Sequence, residues 1–210
     1  MASWQDPGGQ FVINNDEWSG DHGPETIWAN SYHNFGVVSD QADTSDVKVY
    51  PDVDYPLYKA NKDPLYSSIS SIHSTFAEQM PSTSHNFSAE AAYDVWLNNW
   101  KTEMMIWVDT HNRDLAASGE TLRATMTSGG QTWQLWTSGS GVTGYYAFAL
   151  KGNEQSGSVN VLDFIDYLVS HNYLPTTTTV TDIEFGWEIC STGNVPLNFT
   201  LTNYSLKVAS

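Results

Sequence analysis

Two strand-like stretches of the sequence carry acids where a core strand would carry apolar side chains. In the stretch 102–111, period-two alternation places a chemically mixed set of side chains on one face of a strand. These residues are Glu103, Met105, Trp107, Asp109 and His111. The other face is mainly apolar and is typical of a core strand. A charged Glu inside such a strand is costly unless it has partners or a chemical role.

A second stretch, near the C-terminus, alternates in the same way. One of its faces is apolar, and the other carries Glu184 and Glu188 with Gly186 between them. Glycine at this position allows a ligand or a neighbouring backbone to approach closely. Asp94 is a third acid within an apolar strand pattern. We therefore expect these acids to share one cleft. The alternative, which suffices for any one of them alone, is that the acid lies on an open sheet face in contact with solvent.

Two carboxyl groups on opposite walls of a cleft are the minimum requirement for hydrolysing a glycosidic bond. One group protonates the leaving oxygen, and the other attacks the anomeric carbon or activates a water molecule. Direct attack requires carboxyl groups about 5–5.5 Å apart, and attack through water requires about 6.5–9.5 Å. The residue pattern alone leaves both mechanisms open.

The sequence lacks the motifs that several other catalytic chemistries require. The sequence has no Gly-rich phosphate loop and no G-x-S-x-G motif, and its six His show no metal-ligand spacing. The single cysteine, Cys190, excludes an intramolecular disulfide and is expected to be a buried structural thiol. We therefore predict no metal site and no cofactor.

Composition restricts the partners. Among 210 residues, 24 Asp and Glu against 8 Lys and Arg give a formal charge of −16, which disfavours nucleic acid and anionic membranes. Charged residues make up only 15% and aromatic residues 13%. Such a surface suits a neutral, hydroxyl-rich ligand, because Trp and Tyr stack on sugar rings. The alternative is that the aromatic residues fill a β core.

The remaining pattern predicts an all-β protein. Strand-like runs separated by turn residues indicate a sandwich or barrel; they cover 9–14, 27–38, 47–50, 89–97, 102–110, 122–126, 132–137, 144–150, 180–190 and 197–208. The segment 52–84 reads as an irregular connection with one strand-like stretch. Apolar spacing from Val161 to Val169 predicts a single packed helix capped by Asn160. No feature divides the chain, so residues 1–210 are expected to form one catalytic domain.

Six short motifs, in order, resemble those of glycoside hydrolase family 12, the small endo-β-1,4-glucanases and xyloglucanases. The residues that carry the resemblance are Asn14-Asn15 followed by Trp18, Lys48-Val49-Tyr50-Pro51, Tyr93-Asp94-Val95-Trp96-Leu97, Glu103-Met104-Met105-Ile106-Trp107, Thr132-Trp133-Gln134-Leu135-Trp136 and Gly186-Trp187-Glu188. They span nearly the whole chain. Two departures are one extra residue between Asn15 and Trp18, and Glu184 where relatives usually have Gln.

The resemblance implies a two-sheet β-jelly-roll with an open substrate cleft on its concave sheet. It implies retention of anomeric configuration, with Glu103 as nucleophile, Glu188 as acid and then base, and Asp94 supporting the nucleophile. The substrate-binding residues expected in that cleft are Trp18, Asn15, Met105, Trp107, Asp109, His111, Trp136 and Glu184. Asp109 and His111 would shape a subsite at the far end of the nucleophile strand.

The sequence thus predicts a retaining endo-β-1,4-glucan hydrolase. The alternative is a non-catalytic carbohydrate-binding module or lectin on the same architecture, which would not need both Glu103 and Glu188 in its cleft. The partner is a β-glucan poly- or oligosaccharide, and cellulose, mixed-linkage glucan and xyloglucan are not separated. We expect a secreted monomer whose signal peptide is absent from this sequence.

Overall fold

Most strands form where the residue pattern leaves one apolar face, and many of the turns between them contain Gly, Asn or Ser. The computed structural model describes residues 2–61 and 63–210, without the side chains of residues 60 and 61. The strands in that part are β1 (Ser3–Gln5), β2 (Val12–Asp16), β3 (Glu25–Ser31), β4 (Asn34–Ser39), β5 (Tyr50–Tyr55), β6 (Ser71–Gln79), β7 (Ser88–Leu97), β8 (Thr102–His111), β9 (Thr121–Ser128), β10 (Gln131–Ser138), β11 (Tyr145–Leu150), β12 (Ser156–Asn160), β13 (Val180–Ser191) and β14 (Leu197–Ala209). The helices are α1 (Leu57–Asn61) and α2 (Val161–Ser170).

The strands form two sheets. A nine-stranded sheet has the order β1-β2-β5-β13-β7-β8-β11-β10-β9, and a five-stranded sheet has the order β12-β6-β14-β4-β3. Neighbours are antiparallel except for β8 and β11, which run parallel. Apolar side chains from both sheets and from α2 form one buried cluster between them. The all-β sandwich with a packed helix is therefore confirmed, and the sheet arrangement agrees with a jelly-roll.

Helix α2 forms where the apolar spacing predicted it. Its buried face includes Phe164, Ile165 and Leu168, and it packs against β6. Asn160 is at the N-cap position but makes no side-chain bond to the helix backbone. Its Nδ2 donates instead to Asp163 Oδ1, at 2.6 Å. The Asn160 side chain therefore orients Asp163 and accepts the Ile72 N–H at 3.4 Å, rather than satisfying a free N–H of the helix.

Three sequence predictions about the elements are wrong. The segment 52–84 is not an irregular connection, because its first residues belong to β5, a strand inside the nine-stranded sheet. The run 27–38 is a hairpin of β3 and β4 rather than one strand. A second helix, the five-residue α1, was not expected. No helix in the described part of the chain is long and apolar enough to cross a membrane.

Candidate active site

An open cleft of about 470 Å³ lies on the face of the nine-stranded sheet that points away from the core. It is lined by Asp16, Trp18, Val47, Tyr50, Asp94, Trp96, Trp100, Glu103, Glu184 and Glu188. The three acids predicted to be catalytic therefore lie in one cleft, together with Trp18 and Glu184. They reach it from three neighbouring strands, β7, β8 and β13.

Strand register explains why these side chains meet. Glu103 on β8 pairs with Trp96 on β7, and the next outward-facing residue of β7 is Asp94. Asp94 in turn pairs with Glu184 on β13. Side chains of directly paired residues project to the same face of a sheet. Pairing of the strands therefore brings the acids of β7, β8 and β13 together in one continuous acidic surface.

Gly186 allows β5 to join this surface. It pairs with Asp52, and a Cβ atom on residue 186 would lie 2.1 Å from the Pro51 carbonyl oxygen. The glycine of the Gly186-Trp187-Glu188 motif therefore admits a neighbouring backbone rather than a ligand. This close approach places Tyr50 and Asp52 at the cleft side, and the Tyr50 hydroxyl donates to the Ala92 carbonyl at 3.1 Å.

Crowding of acids raises their proton affinity. Burial, followed by repulsion from Glu188, raises the pKa of Glu103 to about 7. Burial, followed by repulsion from Glu103 and Glu184, raises the pKa of Asp94 well above its usual range. Adjacent carboxylates in a poorly solvated site cannot all be ionised together. The site therefore holds protons near neutral pH, as general acid–base chemistry requires.

Arg113 is a cation that contacts the acids at the cleft. Its guanidinium contacts the fully buried Glu90 through two nitrogens, and its Nη2 lies 3.3 Å from Glu188 Oε2. The guanidinium also stacks 5.3 Å from the ring centroid of Trp107. Arg113 is thus held by a buried acid and an aromatic ring while it orients the carboxyl group of Glu188.

The Arg113→Met variant tests this arrangement. We expect its melting temperature at pH 7 to fall by roughly 5–15 °C, because a buried Glu90 loses its counter-ion. The double variant Arg113→Met/Glu90→Gln removes the buried acid as well and should recover at least half of the loss. Thermal unfolding of both variants measures the effect. Equal losses in the single and double variants would show that Arg113 stabilises through packing alone.

Aromatic rings form the wall at one end of the cleft. Trp18 is 59% exposed, so its ring is accessible to a ligand. Trp96 and Trp100 pack with ring centroids 5.6 Å apart, and Trp100 is also partly exposed. These flat, solvent-facing rings can bind an extended, ring-containing ligand along the sheet.

Three further predicted ligand contacts form a packed floor instead of an open surface. Met105 and Trp107 face the cleft side but are buried, because Leu115 from the segment after β8 covers them. The Met105 sulfur accepts hydrogen bonds from Trp107 Nε1 at 3.4 Å and from the Tyr145 hydroxyl at 3.1 Å. Trp136 packs at the edge of this cluster and stays partly exposed. Of the three, only Trp136 is accessible to a ligand.

The expected position of Asp109 and His111 on the cleft face is wrong. A β-bulge on β8 pairs Trp107 with Ala92 but Asp109 with Ala91, so that one extra residue intervenes. A bulge of this kind reverses the faces beyond it. Asp109 consequently turns inward to Glu78, and His111 stacks on Phe87 with ring centroids 4.1 Å apart.

Asn15 was also expected at the cleft, and the structure contradicts this. Alternation along β2 buries Ile13 and Asn15 and turns Asp16 outward. Asn15 is only 3% exposed, and its Oδ1 has no hydrogen-bond partner among the described residues. The outward-facing residue that replaces it in the cleft is an acid, Asp16.

Because Asp109 turns inward, it forms a buried pair of acids with Glu78. This pair makes the stability of the fold depend on pH. Burial raises the pKa of Glu78 to about 8, opposed by a hydrogen bond from Trp187 and reinforced by Asp109. An unfolded Glu releases its proton near pH 4.3. Between these values the folded state holds the extra proton, so its stability falls as pH rises.

We therefore expect the melting temperature to fall by at least about 5 °C between pH 5 and pH 8. The Glu78→Gln variant keeps an acceptor for Trp187 and removes the titrating group, so its decline should be shallower. Calorimetry across this pH range measures both slopes. A wild-type melting temperature that rises towards pH 8 would contradict the buried, protonated state of Glu78.

Sequence reasoning missed several residues that line or support the site: Asp16, Tyr50, Glu90, Trp96, Trp100 and Arg113. A signal existed for Glu90 and Trp96, because both alternate with Asp94 along the strand β7. Tyr50 lay in a recognised motif without an assigned role. Nothing in the sequence indicated that Arg113, beyond the end of β8, folds back over Trp107.

Comparisons with known proteins agree with this geometry. The model of glycosyl hydrolase family 12 matches residues 10–209. A xyloglucan-specific endo-β-1,4-glucanase A from Emericella nidulans is 28% identical over 216 residues, which cover 96% of this chain and 87% of the relative. A family 12 xyloglucanase from Bacillus licheniformis superposes with a TM-score of 0.83 at 24% identity, covering 99% of this chain and 96% of that one. For endoglucanase cel12A from Rhodothermus marinus the TM-score is 0.85 at 20% identity, with 99% and 95% covered.

Proposed function

The chain belongs to glycosyl hydrolase family 12, and from that membership we propose that it is an endo-β-1,4-glucanase acting by retaining double displacement. The observation that carries this proposal is the pair Glu103 and Glu188, which reach one cleft from β8 and β13 beside exposed tryptophans. A non-catalytic sugar-binding protein gains nothing from crowding acids at that cost in free energy.

In the proposed first step, Glu103 attacks the anomeric carbon while Glu188 donates its proton to the leaving glycosidic oxygen. In the second step, Glu188 removes a proton from a water molecule, which attacks the same carbon and releases Glu103. Each displacement inverts the configuration, so two displacements retain it. Arg113, in contact with Glu188, orients the carboxyl group for both steps.

Asp94 is proposed to keep Glu103 in the form that attacks. Asp94 is more deeply buried than Glu103, and its Oδ1 has no partner among the described residues. We propose that Asp94 and Glu103 share one proton. This proton resides on Asp94, which donates a hydrogen bond to the Glu103 carboxylate. This distribution leaves the nucleophile ionised even though its surroundings are acidic.

The proposed substrate is a β-1,4-glucan, and xyloglucan is the first choice because it is named for the relatives in Emericella nidulans and Bacillus licheniformis. Incubation with cellulose, mixed-linkage glucan and xyloglucan, followed by measurement of new reducing ends, tests this. Release of oligosaccharides of mixed length supports internal cleavage. Binding to these polymers without new reducing ends would overturn the enzymatic assignment.

Trp18 is expected to contribute to substrate affinity rather than to bond cleavage. Replacing it with alanine should raise KM for the polymer roughly tenfold and change kcat little, because a stacking ring is lost while the proposed catalytic acids stay in place. Kinetics on soluble polymer measure both constants. The matched control is Trp28→Ala, since Trp28 is 39% exposed on the five-stranded sheet. Similar KM values for the two variants would exclude Trp18 from the binding surface.

The setting of the enzyme is part of the proposal. Residues 1–210 are proposed to act as one catalytic domain, since both sheets contribute to one core. We further propose a secreted monomer that meets its polysaccharide outside the cell and needs neither nucleic acid nor membrane. The low content of charged residues supports contact with a neutral polymer.

A further inference from the structure

Three acids next to the cleft converge with no cation in direct contact among the described residues. Asp54 on β5 pairs with Glu184 on β13, and Asp182 lies two residues before Glu184 on the same strand. One carboxylate oxygen from each of the three lies within 4.8 Å of the others. No ion pair joins them to a Lys, Arg or His in residues 2–61 and 63–210.

Asp54 provides an independent sign that this group lacks a ligand. It is only 8% exposed, its side chain points into the group, and its Oδ1 has no partner among the described residues. Asp182 is buried more deeply; its Oδ1 accepts the neighbouring Ile183 N–H at 2.9 Å, and its carboxyl group also hydrogen-bonds with that of Asp54. A buried carboxylate oxygen without a donor is costly and needs an explanation.

The donor set determines which ligand fits. Three carboxylate oxygens with no nitrogen or sulfur suit a hard cation, and Ca²⁺ accepts oxygen ligands at about 2.3–2.6 Å in flexible arrangements. Three oxygens can all contact one ion at such a distance when they are separated by no more than about 4.5 Å, so oxygens within 4.8 Å of one another need at most small side-chain rotations. Mg²⁺ demands shorter bonds and stricter octahedral geometry, which suits strands of fixed spacing less well. Glu184 lines the cleft, so water can complete the coordination.

We propose that Asp54, Asp182 and Glu184 form a Ca²⁺ site that joins β5 to β13 at the edge of the cleft. This inference does not depend on the proposed hydrolysis. No local residue pattern indicates the site, because its ligands come from two strands, β5 and β13, that lie more than a hundred residues apart in the sequence. The ion would replace protons on the three acids and fix the strand that carries Glu188.

Titration of metal-free protein with Ca²⁺ tests the site. After chelation and dialysis at pH 7.5, calorimetry should show one ion bound per chain, and 5 mM Ca²⁺ should raise the melting temperature by about 5 °C or more. Tb³⁺, a luminescent substitute for Ca²⁺, should be sensitised by the neighbouring Trp96. Both signals should weaken at pH 5, where protons compete for the carboxylates.

Matched variants separate this site from general charge screening. Asp54→Asn should lose Ca²⁺ binding and, without metal at pH 7.5, should melt higher than the wild type, because one repelling acid is gone. Asp52→Asn removes a buried acid two residues away on the same strand and should keep the binding. Absence of binding by the wild type at 5 mM, or equal stabilisation of the wild type and Asp54→Asn, would overturn the proposal.

Discussion

Replacing Glu103 with alanine is expected to reduce kcat on β-1,4-glucan by at least about 10⁴-fold, because the group proposed to form the glycosyl–enzyme bond is removed. The fold should survive. The side chain projects into the cleft, so its deletion opens no core cavity, and one of several mutually repelling acids disappears. Reducing-end assays and a melting curve measure the two effects separately.

Azide provides the control for Glu103→Ala. A small anion can enter the space left by the carboxylate and attack the anomeric carbon in a single displacement. The product should be a glycosyl azide of inverted, α configuration, formed from substrates with good leaving groups. If Glu103→Ala kept more than about one percent of wild-type turnover on polymer, the nucleophile would have to be another acid.

The Glu188→Ala variant is expected to lose at least about 10³-fold in kcat on polymer, for a different reason. Substrates with good leaving groups need little protonation, so the first step should proceed on them. The second step lacks its base, and a covalent intermediate should accumulate. A burst of released aglycone followed by slow turnover is the kinetic signature, which stopped-flow absorbance measures.

Azide should also rescue Glu188→Ala, and its stereochemistry separates the two roles. Here azide attacks the glycosyl–enzyme intermediate in place of water, so the product should have the β configuration. Arg113 keeps its bidentate contact with Glu90 in this variant, so the melting temperature should change little. Full activity of Glu188→Ala on polymer would remove this residue from the mechanism.

The strands of the cleft were predictable because each has one apolar face and acids on the other. The predicted ranges of β7, β8 and β13 agree with the structure within two residues. The helix α2 followed from apolar spacing alone. β5 was missed because Pro51 and two aspartates, Asp52 and Asp54, resemble a loop. Those acids are present because one face of β5 borders the cleft.

The positions of some site residues could not be predicted, because they depend on features of the fold that no local residue pattern indicates. The bulge on β8 turns Asp109 toward the interior, and no residue pattern in that strand predicts the bulge. Arg113 reaches Glu90 and Glu188 only because the chain reverses after β8. Contacts such as these depend on register between distant strands, which periodicity within a single strand cannot provide.

The stereochemistry of hydrolysis tests double displacement by Glu103 and Glu188 most directly. In the first minutes of hydrolysis of a soluble β-1,4-gluco-oligosaccharide, proton NMR resolves the two anomers of the new reducing end before they interconvert. The wild-type enzyme is predicted to release the β-anomer first, with the α-anomer appearing later by mutarotation. Initial release of the α-anomer would show a single displacement through water and would contradict Glu103 as the nucleophile.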